Sequence, residues 1–370
     1  MPTIERVHIR MVELAPKTLR EDAIQTFTLQ ETPMVTVTDS DGLSGTGYSY
    51  TIGTGGPSVV ALLERSLAPA LLGRDPERIG GIWRDLLLMT HSTSVGAITS
   101  LALAAIDTAL WDLRCKRAGV PLWKMAGGAR RSVPVYSTEG GWLQIESEAL
   151  VEDALAKQAE GYGGAKYKVG RPHLSEDAAR LSAVRDAVGD GFEIMTDANQ
   201  SFSLAESIRR ARMLEDYGIA WFEEPMPADN VAAHAELARS TSVPIAVGES
   251  LYSLAQFQAY LNSGAASIVQ VDVARIGGIT PWLKVAALAE SFGVTVCPHF
   301  LMELHLPLVC GIANAQWLEY IPQLDLVTHQ GIDFRDGRAH PSKEPGLGIA
   351  WDEDALERLS VHDVTLGGAA

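Results

Sequence analysis

In the run GAKYKVG (residues 164–170), Lys166 and Lys168 stand two apart between apolar neighbours. Residues i and i+2 of a β-strand point to the same side, so the two ammonium groups would share one face. A solvated sheet face would tolerate this, but Ala165, Tyr167 and Val169 indicate a buried strand. Burial and a like charge both favour the neutral amine, as would Mg²⁺ on the flank of the strand. The pair therefore reads as a general base, Lys168, with a depressed pKa, beside a charged Lys166 that holds an anion.

Six more ionisable residues follow, each 20 to 29 residues beyond the last: Asp197, Glu223, Glu249, Asp272, His299 and Glu319. Each closes a short apolar run. A single carboxylate after a strand is usually a helix cap or an ion-pair partner. Seven consecutive strand ends carrying such groups form a constellation, because the C-terminal ends of barrel strands converge on one mouth.

Asp197, Glu223 and Glu249 bring three carboxylates into that mouth. Crowding three anions is costly unless a cation sits among them. Hard oxygen donors without cysteine or clustered histidine select Mg²⁺, with Mn²⁺ as a substitute. Asn199, two beyond Asp197, faces the same way and is a candidate for the metal shell or the substrate. Glu224 must point away from Glu223, and Pro225 ends the strand. On the other side, Asp272 and His299 end adjacent strands, and a carboxylate that fixes the imidazole tautomer makes a stronger base. Glu319, if protonated, could donate a hydrogen bond to a developing enolate oxygen. His305, within PHFLMELHL (298–306), is close enough to line the pocket.

The elements that must position these groups are short. Eight strand candidates, VPVYSTE (133–139), GAKYKVG (164–170), FEIMTDAN (192–199), IAWFEEP (219–225), PIAVGES (244–250), SIVQVDVAR (267–275), VTVCPHF (294–300) and AQWLEYI (315–321), alternate with helical patterns such as 203–217 and 280–292. That rhythm predicts parallel strands closed into a barrel. Before it, a strand over 4–14, a hairpin in 32–51 turned at Asp41-Gly42, and helices over 58–72, 77–89 and 95–118 form an α+β pattern. The Ala-rich stretch 100–119 carries Asp107 and Asp112 and reads as a buried helix rather than a membrane span. Residues 322–370 return to loops and short elements.

The 370-residue length suits a barrel with an accessory domain, and 46% hydrophobic against 21% charged residues provides a large core. A net charge of −16 excludes a nucleic-acid partner, which would need concentrated Lys and Arg. Cys115, Cys297 and Cys310 are odd in number and far apart, so neither a disulfide framework nor a zinc site is expected. No leader-like or membrane-length apolar run appears, and cytoplasm is the expected location.

These motifs together resemble the enolase superfamily, and within it the mandelate racemase subgroup. GAKYKVG is similar to its Lys-x-Lys strand; DANQ (197–200), WFEEP (221–225) and VGES (247–250) to its three metal-ligand strand ends. DVARIGGIT (272–280) with PHF (298–300) resembles its Asp–His dyad, QWLE (316–319) its electrophilic Glu, and 104–128 its interdomain helix and linker. The resemblance implies a (β/α)7β modified TIM barrel (129–322), an N-terminal α+β capping domain (1–128), and a C-terminal segment (323–370) packing back on the cap. It implies abstraction of the α-proton of a Mg²⁺-bound carboxylate substrate, with Lys168 and His299 flanking the α-carbon and an enediolate stabilised by the metal and Lys166. Dehydration of a sugar acid, an aldonate or aldarate, to a 2-keto-3-deoxy acid is the expected outcome; the alternative is a racemase or epimerase using the same bases. A homo-oligomer acting on a small carboxylate, away from membranes, is expected. The loop PKTLREDAIQTF (16–27) should cover the mouth, where Lys17 and Arg20 could hold a distal carboxylate or hydroxyls.

Overall fold

The computed structural model describes residues 2–368. Strand Ile4–Leu14 pairs antiparallel with Gln30–Asp39, which turns at Asp41-Gly42 and returns as Ser44–Tyr48. Gly42 has φ 81°, the left-handed conformation that this turn requires. Helix Ala97–Ala118 lies directly on the last of these strands. A Cβ at Gly45 or Gly47 would fall inside the helix backbone around Ala109, so only glycine permits this approach. The helix is buried over most of its surface, and its two internal acids are used as ties. Asp112 accepts the N–H of Thr46 at 2.9 Å and of Leu347 at 2.8 Å. Asp107 accepts the N–H of Thr280 at 2.8 Å, at the start of barrel helix Ile279–Ser291.

Eight strands form the barrel: Val133–Ser137, Gly164–Lys168, Glu193–Asp197, Ile219–Glu223, Ile245–Val247, Ile268–Val269, Thr295–Val296 and Leu318–Tyr320. Neighbours pair in parallel, and the circle closes through Leu318–Val135 and a parallel bridge between Val296 and Ala315. Seven helices alternate with the eight strands, a (β/α)7β arrangement. Tyr136, Met195, Trp221, Ala246 and Ile268, one from each of five strands, and Cys297, just past the seventh strand, fill the interior and form the floor of the mouth. After the barrel, the chain returns to the first domain, where Ser360–Gly367 pairs antiparallel with Ile4–Leu14.

The ladders are shorter than the apolar runs. The sixth strand ends at Val269 and the seventh at Val296, so Asp272 and His299 lie on turns beyond them. Asp272 stabilises its own turn by accepting the N–H groups of Ala274 (2.7 Å) and Arg275 (3.1 Å). The helix expected over 58–72 is regular only over Gly56–Leu62; it continues as a wide turn, Leu63–Leu67, and a tight one beginning at Pro69. Among the described residues, no helix is long and apolar enough to cross a membrane, and all three cysteines are buried and unpaired.

Candidate active site

Lys166 and Lys168 occupy the second barrel strand, all five residues of which are buried. Lys166 Nζ lies 3.0 Å from Glu223 Oε1, 2.9 Å from Glu319 Oε1 and 3.6 Å from Asp197. It sits over the Tyr136 ring of the floor. Lys168 Nζ contacts the Asp197 carboxylate and the Asn199 Oδ1, the latter at 2.8 Å, and Trp142 covers it. The protein's own groups do not depress the Lys168 pKa; the expected depression rests on a bound Mg²⁺ as well as on Lys166. Burial, the largest cause, and Lys166 pull it down, but Asp197, Glu249 and Glu223 together outweigh them and raise it above the usual lysine value. The like charge was visible in sequence; the closer opposite charge belongs to the neighbouring strand.

Asp197, Glu223 and Glu249 each place a carboxylate oxygen so that all three atoms lie within 4.8 Å of one another, and all three residues are buried. Burial, then the neighbouring Asp197, pushes the Glu223 carboxyl up to about 7. Burial opposes ionisation of Glu249 too, yet His299 and Arg275 hold it down to about 2. Five buried carboxylates, Asp197, Glu223, Glu249, Asp272 and Glu319, face three basic groups, Lys166, Lys168 and Arg275. An all-oxygen donor set with surplus negative charge fits a hard divalent cation.

Opposite the lysines, His299 Nδ1 is 2.9 Å from Asp272 Oδ2, and its Nε2 is 3.3 Å from Glu249. Burial works against the imidazolium, but Glu249 and Asp272 outweigh it and raise the His299 pKa. Asp272 is held down to about 2, since His299 and Arg275 overcome its burial. Glu319 accepts hydrogen bonds at both oxygens, from Lys166 and Thr138 (2.7 Å) at one and from the Phe300 N–H (2.7 Å) at the other. It is held well below the usual carboxylate range: Lys166 and His299 outweigh its burial, so here it acts as an acceptor rather than the donor expected.

The backbone is strained where these groups are presented. Asn199, Gln200, Glu224 and Phe300 all have positive φ, between 35° and 65°. Glu224 turns away from the cluster, as its position predicts, and binds Gln200 Nε2 (2.9 Å) and Ser250 Oγ (3.1 Å).

Three expected substrate contacts are engaged elsewhere. Lys17 is exposed and paired with Asp325 at 2.9 Å. Arg20 is buried, paired with Glu139 at 2.6 Å, and stacked on Phe27 and Trp142. His305 has both ring nitrogens on backbone: Nε2 accepts the Val273 N–H at 3.0 Å and Nδ1 meets the Phe300 carbonyl at 3.3 Å. Burial lowers its pKa to about 4. Sequence reading passed over Arg275, although it stands three residues beyond Asp272, and Tyr50, which nothing in the local pattern distinguishes from other hairpin residues.

A barrel whose mouth holds three clustered carboxylates between a lysine pair and an Asp–His pair defines a class of protein, one built for metal-assisted acid–base chemistry. The chain belongs to the mandelate racemase/muconate lactonizing enzyme family of the enolase superfamily. Residues 6–127 match the N-terminal domain of mandelate racemase and muconate lactonizing enzyme, and residues 149–355 match the enolase C-terminal domain-like family. The chain is 39% identical over 315 residues to L-talarate/galactarate dehydratase of Salmonella typhimurium, covering 85% of this chain and 79% of that one. It is 35% identical to the 3,6-anhydro-alpha-L-galactonate cycloisomerase of Streptomyces coelicolor over 97% of this chain and 99% of the other. The crystal structure of the Salmonella dehydratase liganded with Mg and L-lyxarohydroxamate superimposes with a TM-score of 0.95 at 35% identity, covering all of this chain and 95% of that one.

Proposed function

We propose that this protein is a Mg²⁺-dependent lyase that dehydrates a sugar acid, an aldonate or aldarate, to a 2-keto-3-deoxy acid. The observation that carries the reading is that Lys168 meets Asp197 on one side of the buried carboxylate triad while His299 meets Glu249 on another. The named dehydratase relative supports the outcome of the reaction, and its Mg-liganded structure supports the metal.

Asp197, Glu223 and Glu249 would hold the Mg²⁺. Bound there, the ion supplies an electrophile for the substrate carboxylate and takes up the charge that builds on it when the α-proton leaves. Lys166 lies beside two of the three ligands and would hold the same carboxylate from the other flank, with Asn199 as a polar neighbour. One of Lys168 and His299, chosen by the configuration at C2, removes the C2 proton. The C3–O bond then breaks, the departing hydroxyl takes a proton from an acid on the site wall and leaves as water, and the enol becomes the 2-keto acid by protonation at C3. Asp272 keeps the His299 ring in place and its Nδ1 protonated, so that Nε2 faces the substrate.

The cations of the 16–27 loop are paired within the protein, so we assign Arg20 to fixing the loop against Trp142 and Glu139 rather than to a distal carboxylate. Epimerisation by the same two bases is the second reading, and the cycloisomerase relative favours keeping it. The test is a screen of purified protein with Mg²⁺ against a sugar-acid library, scoring 2-keto acids as semicarbazones. Keto acid from at least one substrate is expected; interconversion of epimers without keto acid would replace dehydration by the second reading.

A further inference from the structure

The Asp272–His299 pair is part of a closed ring of five side chains. Glu249 Oε1 accepts Arg275 Nη1 at 3.1 Å, and Arg275 Nε donates to the Tyr50 hydroxyl at 3.1 Å. Tyr50 donates to Asp272 Oδ2 at 2.8 Å; the same oxygen is 2.9 Å from His299 Nδ1, and His299 Nε2 is 3.3 Å from Glu249. Four of the five belong to the barrel. Tyr50 belongs to the N-terminal domain, directly beyond its hairpin strand.

We infer that Tyr50 is a positioning residue through which the N-terminal domain orients the Asp272–His299 pair. A phenol suits the place because it donates and accepts at once, and phenylalanine can do neither. Asp272 Oδ1 is filled by two backbone N–H groups and Oδ2 by Tyr50 and His299, so the carboxylate has one orientation. Without the phenol, Oδ2 loses one of its two donors and Arg275 Nε loses its buried acceptor.

Tyr50 is itself firmly placed. It is 2% exposed, and its ring packs on Phe300 at 4.6 Å, while Phe300 stacks on His299. The next residue, Thr51, is bridged to Glu31 by two backbone hydrogen bonds, and the buried Glu31 carboxylate binds the Thr51 hydroxyl and the Gly56 N–H. The hairpin end is thus pinned on both sides of the phenol. Trp83 adds a second link between the domains nearby, donating to the Gly277 carbonyl at 2.8 Å.

The catalytic consequence rests on the proposed function; the positioning does not, and two measurements on the full chain separate them. In protein stripped with EDTA, proton NMR should show a low-field imidazole N–H signal that disappears in His299→Asn. Tyr50→Phe should broaden or abolish it, and an unchanged signal would overturn the inference whether or not any sugar acid is turned over. With Mg²⁺ and a sugar acid that is turned over, Tyr50→Phe should lower kcat by about tenfold to a hundredfold, the usual cost of an orienting partner, with KM within about twofold. In Asp272→Asn the same substitution should cost nothing further, because Tyr50 acts through Asp272. A rise in KM alone, or losses that multiply in the double variant, would overturn the inference. Thermal melts of Tyr50→Phe, which keeps the ring packing, check that the variant is folded. If the wild-type protein acts on no sugar acid, the proposed function fails while the NMR result still decides on Tyr50.

Discussion

The lysine wall and the histidine wall of the mouth border the same carboxylate triad but are built differently. The lysine wall is a straight strand: Lys166 and Lys168 are placed by sheet register, and their charges meet carboxylates of the neighbouring strands directly. The histidine wall lies beyond the ladders. Asp272 and His299 sit on turns, beside the positive-φ Phe300, and are fixed by side-chain hydrogen bonds that extend into the other domain. Backbone pairing fixes the first wall, so its sensitivity is electrostatic. The second depends on a hydrogen-bonded ring, so its sensitivity is geometric.

The change that should disable both walls together is Glu223→Gln. It removes one of three clustered carboxylates and a partner of Lys166, and turnover should fall at least about a thousandfold, with several kcal/mol of charge stabilisation lost. Calorimetric Mg²⁺ titration and circular dichroism should show weakened metal binding in a folded protein. Full activity with normal Mg²⁺ affinity would mean that the triad does not hold the metal.

Next in size, Lys168→Met and His299→Asn separate the walls. Losing a general acid or base costs about a hundredfold to ten-thousandfold. With both C2 epimers of a substrate in D₂O, each variant should lose C2–H exchange from one epimer far more than from the other. Equal losses on both epimers would mean that the walls do not address opposite faces.

Lys166→Met is expected to be milder, about thirtyfold in kcat/KM, as for a lost hydrogen bond to a charged group of about 2 kcal/mol. It should act mainly through KM if Lys166 holds the substrate carboxylate, and through kcat alone if it does not.

The smallest effect lies outside both walls. Burial pushes the Asp107 carboxyl, at the joint between domains, up to about 7, so the folded chain keeps a proton that the unfolded chain releases near pH 4. Its contribution to stability is complete below about pH 4 and is lost as pH rises through about 7. Asp107→Asn should flatten the fall of Tm between pH 5 and 8 by roughly 1–2 °C, the shift for about 1 kcal/mol in a chain of 370 residues. An unchanged slope would mean that Asp107 does not titrate there.

The lysine wall was legible in the sequence because it is periodic. A strand has a fixed two-residue repeat, so i and i+2 predict a shared face, and regular spacing of β/α units exposes the strand ends. The same logic found Asp197, Glu223 and Glu249. It placed Asp272 and His299 in the right company but on strands longer than the ladders that form, because apolar composition persists past the last pairing residue. Partners set by three-dimensional packing were not legible. Arg20, Lys17 and His305 are committed to Glu139, Asp325 and backbone groups that no local pattern connects to them. Tyr50 meets Asp272 across 222 residues of chain.

Removal of a C2 proton by a wall residue above the carboxylate triad is the step on which the proposed reaction depends. The most direct test is proton NMR of the 2-keto-3-deoxy acid formed by the wild-type protein with Mg²⁺ in D₂O. If a side chain takes the C2 proton and C3 is protonated afterwards, the product carries one deuterium at C3, the C2 hydrogen is found in solvent, and EDTA stops the reaction. A product carrying only protium at C3, with the C2 hydrogen moved there directly, or undiminished formation in EDTA, would contradict it.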